Sequence, residues 1–146
     1  MELDKKSDEY VSFRKQLNGT IERVAENLIK LLGKDKVKKK TSKLYFIHTN
    51  LFYNSINTEL AVYLSEEESG LFFTDLRRNI DELGININDW SQQNRNTLNE
   101  ALQYHDVSFV NCSFYTEANL GFELDGLTRL VTVLLMLNTL DNINVE

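Results

Sequence analysis

Proline is absent from this chain, cysteine occurs once at Cys112, and histidine occurs twice, at His48 and His105. A lone cysteine excludes an intramolecular disulfide, and three Cys and His side chains in all do not make a structural zinc site. No metal and no cofactor is therefore expected. Lysine is absent after Lys43, which leaves the remainder of the chain without an amine for Schiff-base chemistry or for a nuclease-type cluster of carboxylates and lysine. The six glycines are scattered, and neither GxxxxGK[ST] nor GxGxxG occurs, so phosphate-loop and dinucleotide folds are excluded. The longest strongly apolar run, Leu130 to Leu137, falls far short of the roughly 20 residues that span a bilayer. The opening MELDKKSDEY has no apolar stretch of a secretory signal, and with the single cysteine it predicts a reducing, cytoplasmic setting in a bacterial host cell. The lack of proline beside 16 asparagines points to an A+T-rich bacterial or phage genome.

What the chain does have is the makings of a core. Hydrophobic residues are 42% of its 146 positions, with eight Phe, six Tyr and one Trp, enough for one globular domain over residues 1–146. The net charge of −6 is unevenly spread. Residues 1–43 hold twelve Lys and Arg against seven Asp and Glu, about +5, and residues 44–146 hold four Arg against fifteen Asp and Glu, about −11. Three parts follow: an N-terminal helix over 1–33, a lysine-rich connector over 34–43, and an acidic α+β body over 44–146.

Tyr10, Phe13, Leu17, Ile21, Val24, Leu28 and Leu31 recur at spacings of three and four, which predicts an amphipathic helix stopped at Gly33. LYFIH (44–48), ELAVYL (59–64) and Leu71 to Phe73 read as strands, with EEESG as the turn between the last two. Thr74 or Asp75 is placed to cap a short helix carrying Leu76, Ile80 and Leu83 and ending at Gly84. Asn88 or Ser91 is placed to cap a second helix, running to about Tyr104. Val107 to Tyr115 and Asn119 to Leu124 alternate as strands, and Asp125 precedes an apolar helix from about Leu127 to Leu140. The order α-β-β-β-α-α-β-β-α, with hairpins in place of regular βαβ units, predicts an α+β fold on a small mixed or antiparallel sheet of about five strands.

Candidate functional residues fall into two sets. Glu66, Glu67, Glu68, Asp75, Arg77, Arg78, Asp81 and Glu82 supply carboxylates and guanidinium groups for a partner's charged side chains. The structural reading of the same residues is a helix cap at Asp75, with the arginines paired to Glu66, Glu67 or Asp81. The second set is Lys36, Lys38, Lys39 and Lys40 within Lys34 to Lys43, able to neutralise phosphates. That run also suits a helix end and a protected sheet edge, and it contains no aromatic or arginine for stacking or base contacts. Cys112, between Val110 and Phe114 with the same strand parity, is expected in the core. His48 ends a strand and His105 a helix, and neither is assigned catalysis.

The stretch from about Leu44 to Leu140 resembles an uncharacterised family of bacterial and phage domains. The likeness lies in the order of a polar loop (NLFYNSINTELAVYL), a hairpin, the FTDLRRNIDELGI strand-to-helix element and a last apolar helix (LTRLVTVLLML). The family's hairpin ends in L[ST]D with glycine soon after; here Phe73, Thr74 and Asp75 fit and Arg77 stands where glycine is expected. The resemblance implies a link to phages and mobile elements and no catalytic residues.

These observations lead to a non-enzymatic phage or mobile-element protein that binds, and inhibits, a host or defence-system protein through its acidic surface. The expected partner is a basic or nucleic-acid-binding protein, with no membrane involved and a homodimer through the N-terminal or C-terminal helix as a further association. The alternative is non-specific nucleic-acid association through Lys34 to Lys43.

Overall fold

The computed structural model describes residues 16, 19–53 and 57–144. Within them the chain runs through α1 (Ile21–Leu32), a 3-10 turn (Lys34–Lys36), β1 (Val37–Thr41), β2 (Leu44–Tyr53), β3 (Thr58–Glu67), β4 (Gly70–Thr74) and α2 (Arg78–Leu83). A second 3-10 turn (Ile87–Asp89), α3 (Gln92–His105), β5 (Ser108–Val110), β6 (Ser113–Glu117) and α4 (Glu123–Asn144) follow. The fold is α+β, with one antiparallel sheet in the order β1-β2-β3-β4-β6-β5.

α1 begins where the Thr20 hydroxyl accepts from the Arg23 amide and ends at Gly33, whose φ of 112° few side chains tolerate. Its Ile21, Val24, Ala25 and Leu28 are buried. Tyr10, Phe13 and Leu17 of the predicted stripe lie outside the described residues.

The sheet has six strands where about five are expected, and the extra one is β1, in the segment read as a connector. Its pattern is one buried residue, Val37, followed by four exposed ones. With one apolar side chain in VKKKT, periodicity gives no strand signal, and backbone pairing to β2 holds the segment in place. Lysines on an edge strand also oppose pairing with a further strand.

One sheet face is the core. Tyr45, Ile47, Leu60, Val62, Leu64, Leu71, Phe73 and Phe114 are buried there with Val24 and Leu28 of α1 and Leu130, Val133, Leu134 and Leu137 of α4. The Tyr53 hydroxyl donates to the Leu134 carbonyl at 3.2 Å. Gly126 lets α4 close on the sheet, because a Cβ there would stand 2.9 Å from the Glu117 carbonyl oxygen and 3.1 Å from the Phe73 ring. α3 stacks on α4, with Asn94 donating to the Leu140 carbonyl and the Trp90 indole to Asp141.

The C-terminal third departs from the expected strands. Val107 to Tyr115 is a hairpin, not one strand, turning at Asn111 (φ 52°) and Cys112 (φ 64°). Two consecutive left-handed residues make a tight turn whose handedness suits the twist of β5 and β6. Cys112 thus sits half-buried in the turn and not on an inward strand position. Asn119 to Leu124 is a turn leading into α4, which starts at Glu123, ahead of the expected Asp125 cap. The Glu123 carboxylate is buried and accepts from Gly121 N and from Asn27 of α1, tying the first and last helices together.

Candidate functional site

The other sheet face carries the site. Strand side chains alternate between faces, so with Tyr45 and Ile47 inward, Phe46 and His48 of β2 point outward. Register then sets their neighbours: Lys38 pairs Phe46, Phe46 pairs Tyr63, and His48 pairs Ala61. Farther across the sheet, Phe72 pairs Glu117, and Thr74 pairs Tyr115. Phe46, His48, Phe72 and Tyr115 are all part-exposed.

Phe46 is the centre of a cluster. Its ring centroid is 4.7 Å from that of His48 and 5.1 Å from that of Tyr63, both edge-on. The pairing of β1 with β2 shifts between Lys39 and Thr41, so Lys40 is the extra residue of a bulge, and its Nζ stands 6.0 Å over the Phe46 ring. That separation is the outer limit of a cation and ring attraction. From the opposite side, Arg78 at the start of α2 donates through Nη1 to the Tyr63 hydroxyl at 3.0 Å. Glu59 is engaged within this group: it faces His48 Nδ1 at 3.3 Å and accepts from the Asn50 amide at 2.9 Å. Lys38, Lys40, Phe46, His48 and Arg78 thus line this face beside the lysine edge, with Tyr63 buried beneath them and the Glu59 carboxylate among them. A second aromatic pair, Phe72 and Tyr115 at 5.9 Å, lies on the same face.

The expected acidic set does not form one surface. Glu66, Glu67 and Glu68 lie at the turn between β3 and β4, whereas Asp75, Arg77, Arg78, Asp81 and Glu82 follow the far end of β4. Burial raises the Glu67 carboxyl above its ordinary range, partly offset by a hydrogen bond from Ser65. Asp75 is fully buried and serves the scaffold. Its Oδ1 accepts from Phe114 N at 2.9 Å and Arg77 N at 3.3 Å, and its Oδ2 accepts from Asn79 Nδ2 at 3.1 Å. α2 itself begins after Arg77 without a side-chain cap, so Asp75 organises the junction as a turn. Arg77 pairs Asp81 at 3.1 Å and Arg78 approaches Glu82 at 3.7 Å, both one helical turn apart. Arg77 is thus paired with Asp81, one of the three expected partners, and Arg78 with Glu82 in place of Glu66 or Glu67.

Of the lysine set, Lys38 and Lys40 reach the aromatic face, Lys39 pairs opposite Tyr45, and Lys36 lies in the 3-10 turn, 3.9 Å from Asp35. The sequence reading passed over Phe46, His48, Tyr63, Phe72 and Tyr115. The signal was present in LYFIH: once alternate residues are assigned inward, Phe46 and His48 are left as an aromatic pair facing out. The missing piece was β1, which brings lysines and aromatics together across the sheet although they are separate in sequence. Among the described residues no group of three His, Cys, Asp or Glu side chains is arranged to hold a metal ion, and no helix is long and apolar enough to cross a membrane.

No protein-family model, no curated protein and no solved structure matches this chain.

Proposed function

We propose that the protein binds single-stranded nucleic acid on the outer sheet face, without base-sequence preference and without catalysis of its own. The observation that carries this reading is the position of Lys40 over Phe46, with Lys38 in register beside the same ring. Single strands are held by cations that follow the phosphates and by aromatic faces on which bases stack, and stacking is indifferent to base identity. Phe46 and His48 offer the stacking surface. Lys38, Lys40 and Arg78 flank it on both sides, and Lys36 extends the cationic edge. Duplex DNA suits the site less well, because its bases are already stacked on one another.

Electrophoretic mobility shift at low salt with a labelled oligothymidylate tests this. Wild type should retard the strand, and Lys36, Lys38, Lys39 and Lys40 changed together to glutamine should abolish the shift. A wild-type protein that leaves the strand unretarded at low salt ends the reading.

A second reading keeps a basic or nucleic-acid-binding protein as partner, inhibited through the acidic side of a phage or mobile-element product. It is favoured by Glu66, Glu67 and Glu68 standing together at one turn, far from the arginines that pair Asp81 and Glu82. Capture of a basic protein that is released by salt, and lost when the three glutamates become glutamine, is its expected result.

A further inference from the structure

The outer sheet face carries one row of side chains in register across all six strands. Lys38 of β1 pairs Phe46 of β2, Phe46 pairs Tyr63 of β3, and Tyr63 pairs Thr74 of β4. Thr74 in turn pairs Tyr115 of β6, and Tyr115 pairs Ser108 of β5. Directly opposed residues share a face, so the row crosses the sheet in a line perpendicular to the strands. Its aromatic rings reach the surface at two places. Phe46 is part-exposed on β2, Tyr63 and Thr74 are buried, and Tyr115 is part-exposed on β6. Phe72, two residues before Thr74, stands against Tyr115 with ring centroids 5.9 Å apart and planes at 86°. Three strand spacings, about 14 Å, separate Phe46 from Tyr115.

We infer that Tyr115, with Phe72 against it, is a second stacking station for the same single strand, which crosses the sheet along this row from the lysine edge. The inference rests on the reading of this face as a single-strand site. Charge gives the crossing its order. Lys38 is the only charged residue of the row, and Arg78 reaches the row at Tyr63, between the two stations, through its 3.0 Å bond to the hydroxyl. Beyond Tyr63 the row holds no cation, and Glu117 pairs Phe72. Phosphates are therefore held at β1 and β3, and a base alone at β6. The second station is filled by a strand already anchored at the first. Its distance sets the length required: 14 Å is about four nucleotides at the 3.4 Å rise of a stacked strand.

Nuclear magnetic resonance of the full chain at low salt reads both stations at once. Octathymidylate should shift the ring resonances of Phe46, His48, Phe72 and Tyr115, and a thymidine dinucleotide those of Phe46 and His48 alone. Tyr115→Leu keeps an apolar side chain without the ring. It should weaken octathymidylate binding by about 5- to 150-fold, the worth of one stacked base. The dinucleotide should still shift Phe46 and His48 in that variant, which reports that it is folded. Octathymidylate shifts confined to Phe46 and His48, or an unaltered affinity in Tyr115→Leu, would overturn the second station and leave the first standing. Shifts at none of the four rings would remove the reading of this face and the inference with it.

Discussion

The side chain of Asn79 is hydrogen-bonded to the backbone of Ala61 on both sides, accepting from its N–H at 3.1 Å and donating to its carbonyl at 2.9 Å. Thr74, the last residue of β4, pairs with Tyr63, so the ladder along β3 stops two residues short of Ala61. Asn79 supplies the missing partner from a helix. Asn79→Ala should cost about 2–6 kcal/mol, since two backbone groups lose their partners at about 1–3 kcal/mol for each one left unsatisfied. Asn79→Asp keeps the shape but sets a carboxylate against the Ala61 carbonyl and Asp75, and should be no more stable than the alanine variant in urea unfolding.

Burial raises the Asp75 carboxyl above its ordinary 3.8, with hydrogen bonds from Phe114 and Asn79 opposing the shift. A carboxyl raised on folding binds its proton more tightly in the folded state. Its contribution to stability is then fully present below 3.8 and is lost as pH rises through the folded value. Wild type and Asp75→Asn share every other titrating group. Their stability difference in urea should therefore shift against wild type as pH rises through that acid window and stay flat above it. A difference moving the other way would show an ionised carboxylate held by its donors.

Gly126→Ala should destabilise by about 1–3 kcal/mol, the usual range for overpacking, because the neighbours at 2.9 and 3.1 Å are a backbone carbonyl and a buried ring. Glycine to alanine within a helix would otherwise stabilise it, by up to about 1 kcal/mol at an interior position and less in the first turn, where Gly126 lies. The sign of the change in thermal midpoint thus reports whether α4 is packed against β6 and Phe73 this closely.

Arg77 adopts φ 68° in the left-handed region, directly after Leu76 at φ 49°. Glycine takes this conformation without a Cβ penalty. Arg77→Gly should raise the urea midpoint slightly, because the surface pair with Asp81 is worth little. A fall in midpoint would mean that the pair outweighs the backbone strain.

The elements with strong periodicity were legible in the sequence. α1 follows from its stripe, α3 from the Ser91 cap and β3 from ELAVYL, and together they give the α+β class. What was not legible depends on pairing or on conformations that composition does not encode. β1 has one buried side chain and exists through its register with β2. The turn at Asn111 and Cys112 needs two positive φ values with no glycine present, so it left no turn signal in the sequence. The candidate site was hidden for the first of these reasons: Lys40 and Phe46 are six positions apart in sequence and meet only across a bulged strand pair.

The central claim is that Phe46 and its lysines hold a single strand together. Fluorescence anisotropy of a labelled oligothymidylate, titrated with wild type, Phe46→Ala and the double variant Lys38→Gln, Lys40→Gln across a salt series, separates the two contributions. A stacked base is worth about 1–3 kcal/mol, so Phe46→Ala should weaken binding by roughly 5- to 150-fold while leaving the salt dependence unchanged. The double lysine variant should flatten the slope of log affinity against log salt by about 1.4, two phosphates at about 0.7 each. Wild-type binding that neither variant alters, or no wild-type binding at low salt, would contradict the account.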